Sequence, residues 1–115
     1  MLSVNSVAQY YPQTKANDLG DVSGTVSQNV EAGSYMAATT IGDTDWTFTT
    51  PSLTSGYVTE WTLALSDGGN YTQTFAGVLW PGGTVPTFTT NGTDILNFKR
   101  ALGITFGIRT ALNIA

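Results

Sequence analysis

The sequence contains no cysteine and no histidine. Without cysteine there are no disulfide bonds and no thiolate metal sites, so the stability of the fold must come from packing. Without histidine, the most common general base and the most common metal ligand are both missing. The two absences together exclude catalytic devices that pair a serine or cysteine with a histidine.

Charged residues are also scarce, since they make up 10% of the chain against about a quarter in an average protein. The formal net charge is −4, and the only basic residues are Lys15, Lys99, Arg100 and Arg109. Lys99 and Arg100 are adjacent, but on a strand their side chains would point to opposite faces. Nucleic-acid binding needs a basic track along the phosphates, so we expect no nucleic-acid partner.

Long apolar runs are missing as well. No stretch approaches the roughly 20 apolar residues of a membrane-spanning helix. The first ten residues lack the basic start and the continuous apolar run of a secretory signal. We therefore expect neither a membrane partner nor a secretory signal.

Aromatic residues are plentiful, with three Trp, five Tyr and five Phe. A disordered chain would carry few of them, so this chain is expected to fold. The polar residues are mainly Thr, Ser, Asn and Gln, and a surface of this kind resists association poorly. The composition suits a protein that works packed against other proteins, although a merely neutral soluble domain has the same composition.

Alternating apolar and polar residues predict β-strands. Trp46 and Phe48 share one face of a strand at 45–50, and Trp61, Leu63 and Leu65 share one face of a strand at 58–65. We expect both faces, with Trp46 and Trp61, to be buried in the core. Further strands are predicted at about 23–29, 34–41, 71–75, 78–80, 88–90, 95–99 and from 104 onward. The pattern predicts an all-β protein in which residues 22–115 form a single β-sandwich or jelly-roll-like domain.

Turn residues separate these strands. Residues 66–70, Ser-Asp-Gly-Gly-Asn, are predicted to form a hairpin turn in which glycine supplies a positive φ. Residues 1–21 differ from the rest because apolar residues are scattered and Tyr10-Tyr11-Pro12 breaks any regular run. We predict an extended N-terminal arm that orders on a neighbour, and a frayed terminus would fit the same residues.

The eight carboxylates do not form a recognisable catalytic pattern. A glycosidase needs two of them facing each other across a sugar cleft. Asp43, Asp67 and Asp94 stand beside Gly or Thr, where turn chemistry explains them, and Glu60 should face away from the core. Residues 43–45 and 67–70 lack the ligand number of a calcium loop. We expect no catalytic residue, no metal and no cofactor.

One segment, Val78-Leu79-Trp80-Pro81-Gly82-Gly83-Thr84-Val85-Pro86-Thr87, carries a resemblance to a known group of proteins. It resembles a Trp-Pro-Gly-Gly-Thr-x-Pro-Thr motif of tailed-bacteriophage virion proteins, in which an Asp-x-Leu-x-Phe strand follows. Here that strand is Asp94-Ile95-Leu96-Asn97-Phe98, and the likeness extends over residues 22 to 108. The sequence departs from the family at residues 99–107. The strand is kept there as Ile-Thr-Phe-Gly, but the acidic Gly-Gly turn that precedes it in the family is missing. The resemblance therefore does not extend to any site that relatives build on that turn.

The family includes tail-fibre, head-fibre and capsid-decoration proteins. Because the chain is one short domain without a shaft, the resemblance implies a capsid decoration (cement) protein on the exterior of the virion, bound to the major capsid protein and itself a homotrimer. The alternative is a fibre module that binds a host-surface glycan through Trp80, Tyr57 and Tyr71. A carbohydrate-active enzyme is the third hypothesis, which the missing catalytic pattern disfavours. The partner-binding residues expected are Tyr10, Tyr11, Pro12, Trp80, Pro81, Gly82 and Gly83.

Overall fold

The computed structural model describes residues 16–30, 34–50 and 56–114, and these residues form an all-β structure, as predicted. The strands are β1 (Ala16–Asn29), β2 (Ser34–Thr49), β3 (Thr59–Ser66), β4 (Gln73–Phe75), β5 (Val78–Leu79), β6 (Thr93–Ala101) and β7 (Ile104–Ile114). Two short 3-10 turns occupy Gly68–Asn70 and Pro81–Gly83. Within the described ranges, no helix is long and apolar enough to cross a membrane.

The first two strands run parallel although only four residues connect them. A straight strand of 14 residues would be about 45 Å long, whereas the short connection spans at most about 17 Å. β1 must therefore bend back on itself. The bend lies at Gly20 and Gly24, whose φ angles are 67° and 69° and beside which the pairing with β2 shifts register. Glycine adopts this left-handed conformation without the steric cost of a Cβ.

The bent strands stack as successive turns of a coil. Each paired residue of β1 lies beside a residue 18 to 20 positions later, for example Gly20 beside Ala38 and Gly24 beside Thr44. β2 in turn pairs in parallel with β3 along residues 34–39 and with β4 along 44–46. β1, β2 and the pair β3–β4 thus form three successive turns of one coil. Each turn consists of two straight segments, here called arms, that meet at a corner.

An antiparallel hairpin completes the sheet. β6 pairs with β3, β7 returns along β6, and β5 lies on the far side of β7, which makes the order β1-β2-β3-β6-β7-β5. The described strands belong to one sheet that curls into a half-cylinder. The finer prediction of a two-sheet sandwich or jelly roll is not confirmed, because the two sides of the core are arms of the same strands.

The core lies between the two arms and is largely aromatic. Phe48, on the second arm of β2, contacts Trp61 on β3 and Phe98 on β6, at ring-centroid distances of 5.6 and 4.8 Å. Trp46 stacks on its strand neighbour Phe75 at 6.1 Å. The residues predicted to share the inner face of the sheet, Trp61, Leu63 and Leu65, are all buried. The alternation in the sequence therefore predicted the core face of these strands correctly.

The segment 66–70 is a corner and not the predicted hairpin turn. β4, which follows it, pairs with β2 and not with the preceding β3. The positive φ also belongs to a different residue, since Asp67 has φ 60°. The glycines are required for close approach instead: a Cβ on Gly69 would lie 2.2 Å from the carbonyl oxygen of Phe88. Residues 88–90 accordingly form irregular chain against this corner and not the predicted strand.

The arm predicted at residues 1–21 falls only partly within the described residues. Residues 16–21 are the first part of β1 and pair with β2. Residues 1–15, with Tyr10, Tyr11 and Pro12, lie outside the described residues.

Candidate binding surface

The Trp-Pro-Gly-Gly segment forms a tight loop next to β7. Gly82 and Gly83 have φ angles of 73° and 76°, and the amide of Gly83 donates a hydrogen bond to the carbonyl oxygen of Trp80 at 2.9 Å. Pro81 stands at the first position of the 3-10 turn, where its missing N–H is tolerated. These residue types account for the shape of the loop, which points the ring of Trp80 inward and leaves Pro81 to Gly83 exposed.

Trp80 is buried, with 8% of its surface exposed. Its ring contacts Phe75 and Phe98 at centroid distances of 5.2 and 5.7 Å, both with edge-on geometry. Its Nε1 has no hydrogen-bond partner among the described residues. Trp80, which was expected to bind a partner or stack on a sugar, borders a surface groove, but its ring mainly braces the loop against the core.

A groove of about 650 Å³ runs beside this loop on the outer face of the curled sheet. Leu79 on β5, Phe106 on β7 and Lys99 on β6 lie in one row across three paired strands. Register partners carry their side chains on the same face of a sheet, so the row forms a continuous floor. The lining residues are Glu60, Leu79, Trp80, Pro81, Asn97, Phe98, Lys99, Phe106, Gly107 and Ile108.

The polar groups of the groove lie along the β3–β6 side. Lys99 Nζ is 3.5 Å from Glu60 Oε1, and both side chains are more than half exposed. Such a pair contributes little stability because water screens it. Asn97 donates to Thr62 Oγ1 at 2.8 Å and accepts from Thr110 Oγ1 at 2.6 Å. The groove is thus apolar on the β5–β7 side and polar on the other.

A second apolar surface lies at the end of the β6–β7 hairpin. We call it the tip patch and define it as Tyr57, Val58, Leu102 and Ile104, all of which are exposed. Thr59 pairs with Arg100, so the two residues before it lie beside the hairpin end. Single exposed apolar residues are ordinary on protein surfaces, but larger apolar patches are often interaction sites, so the tip patch is a candidate for one.

Leu102 is the most unusual member of the tip patch. It is 84% exposed, and its φ is 53° in the two-residue turn that it forms with Gly103. Such hairpin turns favour Asn, Asp or Gly at this position, because a residue with a bulky side chain resists positive φ. The position is therefore unfavourable for leucine in two respects: the backbone has a positive φ, and the apolar side chain is exposed to water.

Three of the acidic residues, Asp43, Asp45 and Asp94, hold chain segments together. Asp94 is fully buried, where a simple turn role was predicted, and it accepts three hydrogen bonds: from Thr89 N, Thr89 Oγ1 and Asn113 N, at 2.7 to 2.8 Å. Asp43 accepts from the Thr72 amide and Asp45 from the Thr74 hydroxyl, which ties β2 to the segment around β4. Within the described residues, no three Asp or Glu side chains are grouped closely enough to hold a metal ion.

The aromatic residues considered for sugar stacking differ in exposure. Trp46 and Trp61 are buried in the core, as predicted. Tyr57 in the tip patch and Tyr71 beside the corner are exposed. Comparison with known proteins found no match among family models, curated proteins or solved structures.

Proposed function

We propose that this protein is a structural component of a tailed-phage virion, namely a capsid decoration protein that binds the exterior of the assembled head shell. The observation that carries the proposal is Leu102, an exposed leucine of the tip patch in a left-handed turn position. Leu102 destabilises the free domain through its positive φ and through its exposed apolar side chain. Such an unfavourable residue is expected where it contacts a partner. The partner is the major capsid protein.

The resemblance of residues 78–87 to a virion-protein motif supports the same proposal. So does the composition, because a chain without cysteine or histidine, and with few charges, lacks the usual side chains of catalysis. In this proposal the protein works without catalysis, by adhesion alone. Its tip patch becomes buried against capsid subunits, and the removal of apolar surface from water favours the contact.

Stabilisation of the shell follows from mass action. A protein that binds the assembled shell and not the free subunits shifts the equilibrium toward the shell. A homotrimer would present three tip patches at once, so its attachment would gain from avidity. This arrangement requires an exposed patch, and Leu102 at the end of the β6–β7 hairpin has 84% of its surface exposed.

The alternative is a fibre module that binds a host-surface glycan. Tyr57 favours it, since this tyrosine is 67% exposed and lies beside the aliphatic residues of the tip patch. Exposed aromatic rings stack on sugar rings. The same patch therefore serves either function, and the partner distinguishes them.

The experiment compares binding to empty head shells with binding to host cells, for the unchanged protein and for Leu102→Asn. Asparagine tolerates positive φ and is polar, so the variant should fold with an equal or higher melting temperature and lose shell binding by about tenfold or more. Ile41→Asn is the matched control, because Ile41 is also an exposed aliphatic residue, with 56% of its surface exposed, but lies at the corner of β2. It should leave shell binding unchanged.

Binding to shells that is lost in Leu102→Asn and kept in Ile41→Asn would support the decoration proposal. Binding to cells and not to shells would reject it in favour of the fibre module. Unchanged shell binding in a folded Leu102→Asn variant would reject the tip patch as the contact.

A further inference from the structure

We propose that copies of this chain associate with one another through the outer side of β7. The contact surface, which we call the β7 face, consists of Leu79 on β5 together with Phe106, Ile108 and Ile114 on β7. It is a different surface from the tip patch, and the inference does not rest on the phage assignment.

The β7 strand carries its apolar residues on the side that faces the solvent. A strand that lies between core and solvent normally turns its apolar residues toward the core and its polar residues outward. On β7 this order is reversed, because Thr105 and Gly107 are buried, whereas Phe106 and Ile108 each expose about half of their surface. Such a reversal is unfavourable in water and is expected where another protein covers the strand.

The register of β7 does not allow this reversal to relax. A shift by one residue would turn the apolar side inward, but it would also bring a side chain into the place of Gly107. A Cβ at Gly107 would already lie 2.7 Å from the ring of Trp80. Arg100, the register partner of Thr105, also donates from Nη1 to the Thr105 hydroxyl at 2.9 Å. Both contacts hold β7 with its apolar side facing out.

The members of the β7 face lie on one side of the sheet, because register partners carry their side chains on the same face. Phe106 is the register partner of Leu79 on β5. On β6 the partners of Phe106, Ile108 and Ile114 are alternate residues of the strand, namely Lys99, Asn97 and Thr93. Alternate residues of a strand share a face, so the apolar surface extends along most of β7.

The size of the β7 face fits a contact between two folded chains. Its four members expose between 47% and 56% of their surface. A large side chain offers on the order of 150–200 Å², so the half-exposed members together leave roughly 300–400 Å² of apolar surface in water. A standard interface buries about 800 Å² per partner, of which somewhat more than half is apolar. The β7 face thus supplies most of the apolar area on one side of such an interface.

The positions of the acidic residues favour a second copy as the partner. The formal net charge is −4, so copies repel each other unless their carboxylates stay apart. Asp18 and Asp21 lie on β1, at the opposite edge of the sheet from β7. Four steps between neighbouring strands separate Asp18 from Ala111 of β7 in the same row, which is about 19 Å. This distance exceeds the Debye length of about 8 Å at physiological salt.

The charged groups close to the β7 face are already paired. Lys99 and Glu60 lie 3.5 Å apart, and Arg109 donates to the carbonyl oxygen of Thr87. The members of the face itself are uncharged, so copies that meet there oppose no like charges. A neutral apolar surface is complementary to itself, as a symmetric contact between identical patches requires.

The experiment is sedimentation equilibrium of the full chain over a range of concentrations, with Ile108→Thr and its matched control Ile41→Thr. The two isoleucines are 50% and 56% exposed, and threonine is well suited to a strand. We expect the unchanged protein and Ile41→Thr to form the same oligomer. Ile108→Thr should raise its dissociation constant by about tenfold or more. Phe106→Thr is an independent second variant with the same expected result.

A second measurement needs no substitution. A soluble nitroxide broadens the NMR signals of methyl groups that are in contact with water. In the unchanged protein the methyl signals of Ile108 should broaden less than those of Ile41, although the two side chains are similarly exposed in a single chain. Equal broadening would overturn the proposal, because it would show that Ile108 is not covered.

The outcome is independent of the shell-binding experiment. Leu102→Asn should keep the oligomer even where it loses binding to shells. An unchanged protein that is monomeric at every concentration would overturn the proposal. So would an oligomer that resists Ile108→Thr and Phe106→Thr, or one that Leu102→Asn dissociates in their place, since the copies would then meet at another surface.

Discussion

The ring of Trp80 lies directly against the backbone of Gly107 on β7. A Cβ at Gly107 would lie 2.7 Å from both Cζ3 and Cη2 of the indole, and 2.9 Å from Cγ1 of Val78. Gly107 has no positive φ, so here glycine is needed for space and not for backbone conformation. The absence of one methyl group thus lets the Trp-Pro-Gly-Gly loop close onto the hairpin beside the groove.

Gly107→Ala should therefore destabilise the domain by about 1–3 kcal/mol, because the core must give way to the added methyl group. Urea unfolding followed by circular dichroism measures the change. Trp80→Phe removes the two indole atoms involved, so Gly107→Ala should cost less in that background. An equal cost in both backgrounds would show that Trp80 does not press on Gly107.

Gln73→Leu should destabilise the domain by about 2 kcal/mol, because it removes the side-chain hydrogen bonds of Gln73 near the corner at residues 66–70. The Gln73 Oε1 accepts from Trp46 Nε1 at 2.9 Å, and its Nε2 donates to Thr40 Oγ1 and to the Gly68 carbonyl. Leucine has a similar volume but leaves the buried indole N–H without an acceptor. Thermal unfolding provides the measurement.

The matched control for that variant is Gln28→Leu, since among the described residues the Gln28 side-chain amide bonds to the carbonyl of the adjacent Ser27 alone. Its melting temperature should stay close to that of the unchanged protein. A Gln73→Leu variant as stable as the control would mean that the corner does not depend on this network.

Asp94→Ala should cost about 3 kcal/mol, because the amides of Thr89 and Asn113 lose a buried acceptor. Hydrogen exchange at these two amides should accelerate more than exchange at β3. Asp21→Ala, at an exposed position of β1, should change stability by less than about 0.5 kcal/mol. Unchanged exchange at Asn113 would count against the role of Asp94 as a link between loop and strand.

Trp61→Ala should unfold the domain or destabilise it by about 3–5 kcal/mol, as expected for a buried aromatic residue. Trp61→Phe should cost much less. The Nε1 of Trp61 has no hydrogen-bond partner among the described residues, so no hydrogen bond is lost there, and a phenyl ring can still pack against Phe98. Denaturant midpoints of both variants test the pair. A normally melting Trp61→Ala variant would place the core elsewhere.

Part of the candidate site could be predicted from the sequence. The Trp-Pro-Gly-Gly segment stands out because its residue types restrict the backbone, and it does form the tight loop at the groove. Leu102 could not be singled out, because its positive φ arises only when β6 and β7 pair. The groove itself joins residues from β3, β5, β6 and β7, which no local pattern brings together.

The sequence alone determined the all-β class and the inward face of β3, because alternation and β-branched or aromatic residues act on neighbouring positions. It also determined that disulfides and histidine chemistry are excluded. Tertiary structure decided that β1 and β2 wind in parallel and that residues 66–70 form a corner. These outcomes depend on which distant strands pair, and pairing energy comes from contacts between residues far apart in the chain. A turn sequence restricts its own backbone but does not choose the partner of the strand that follows.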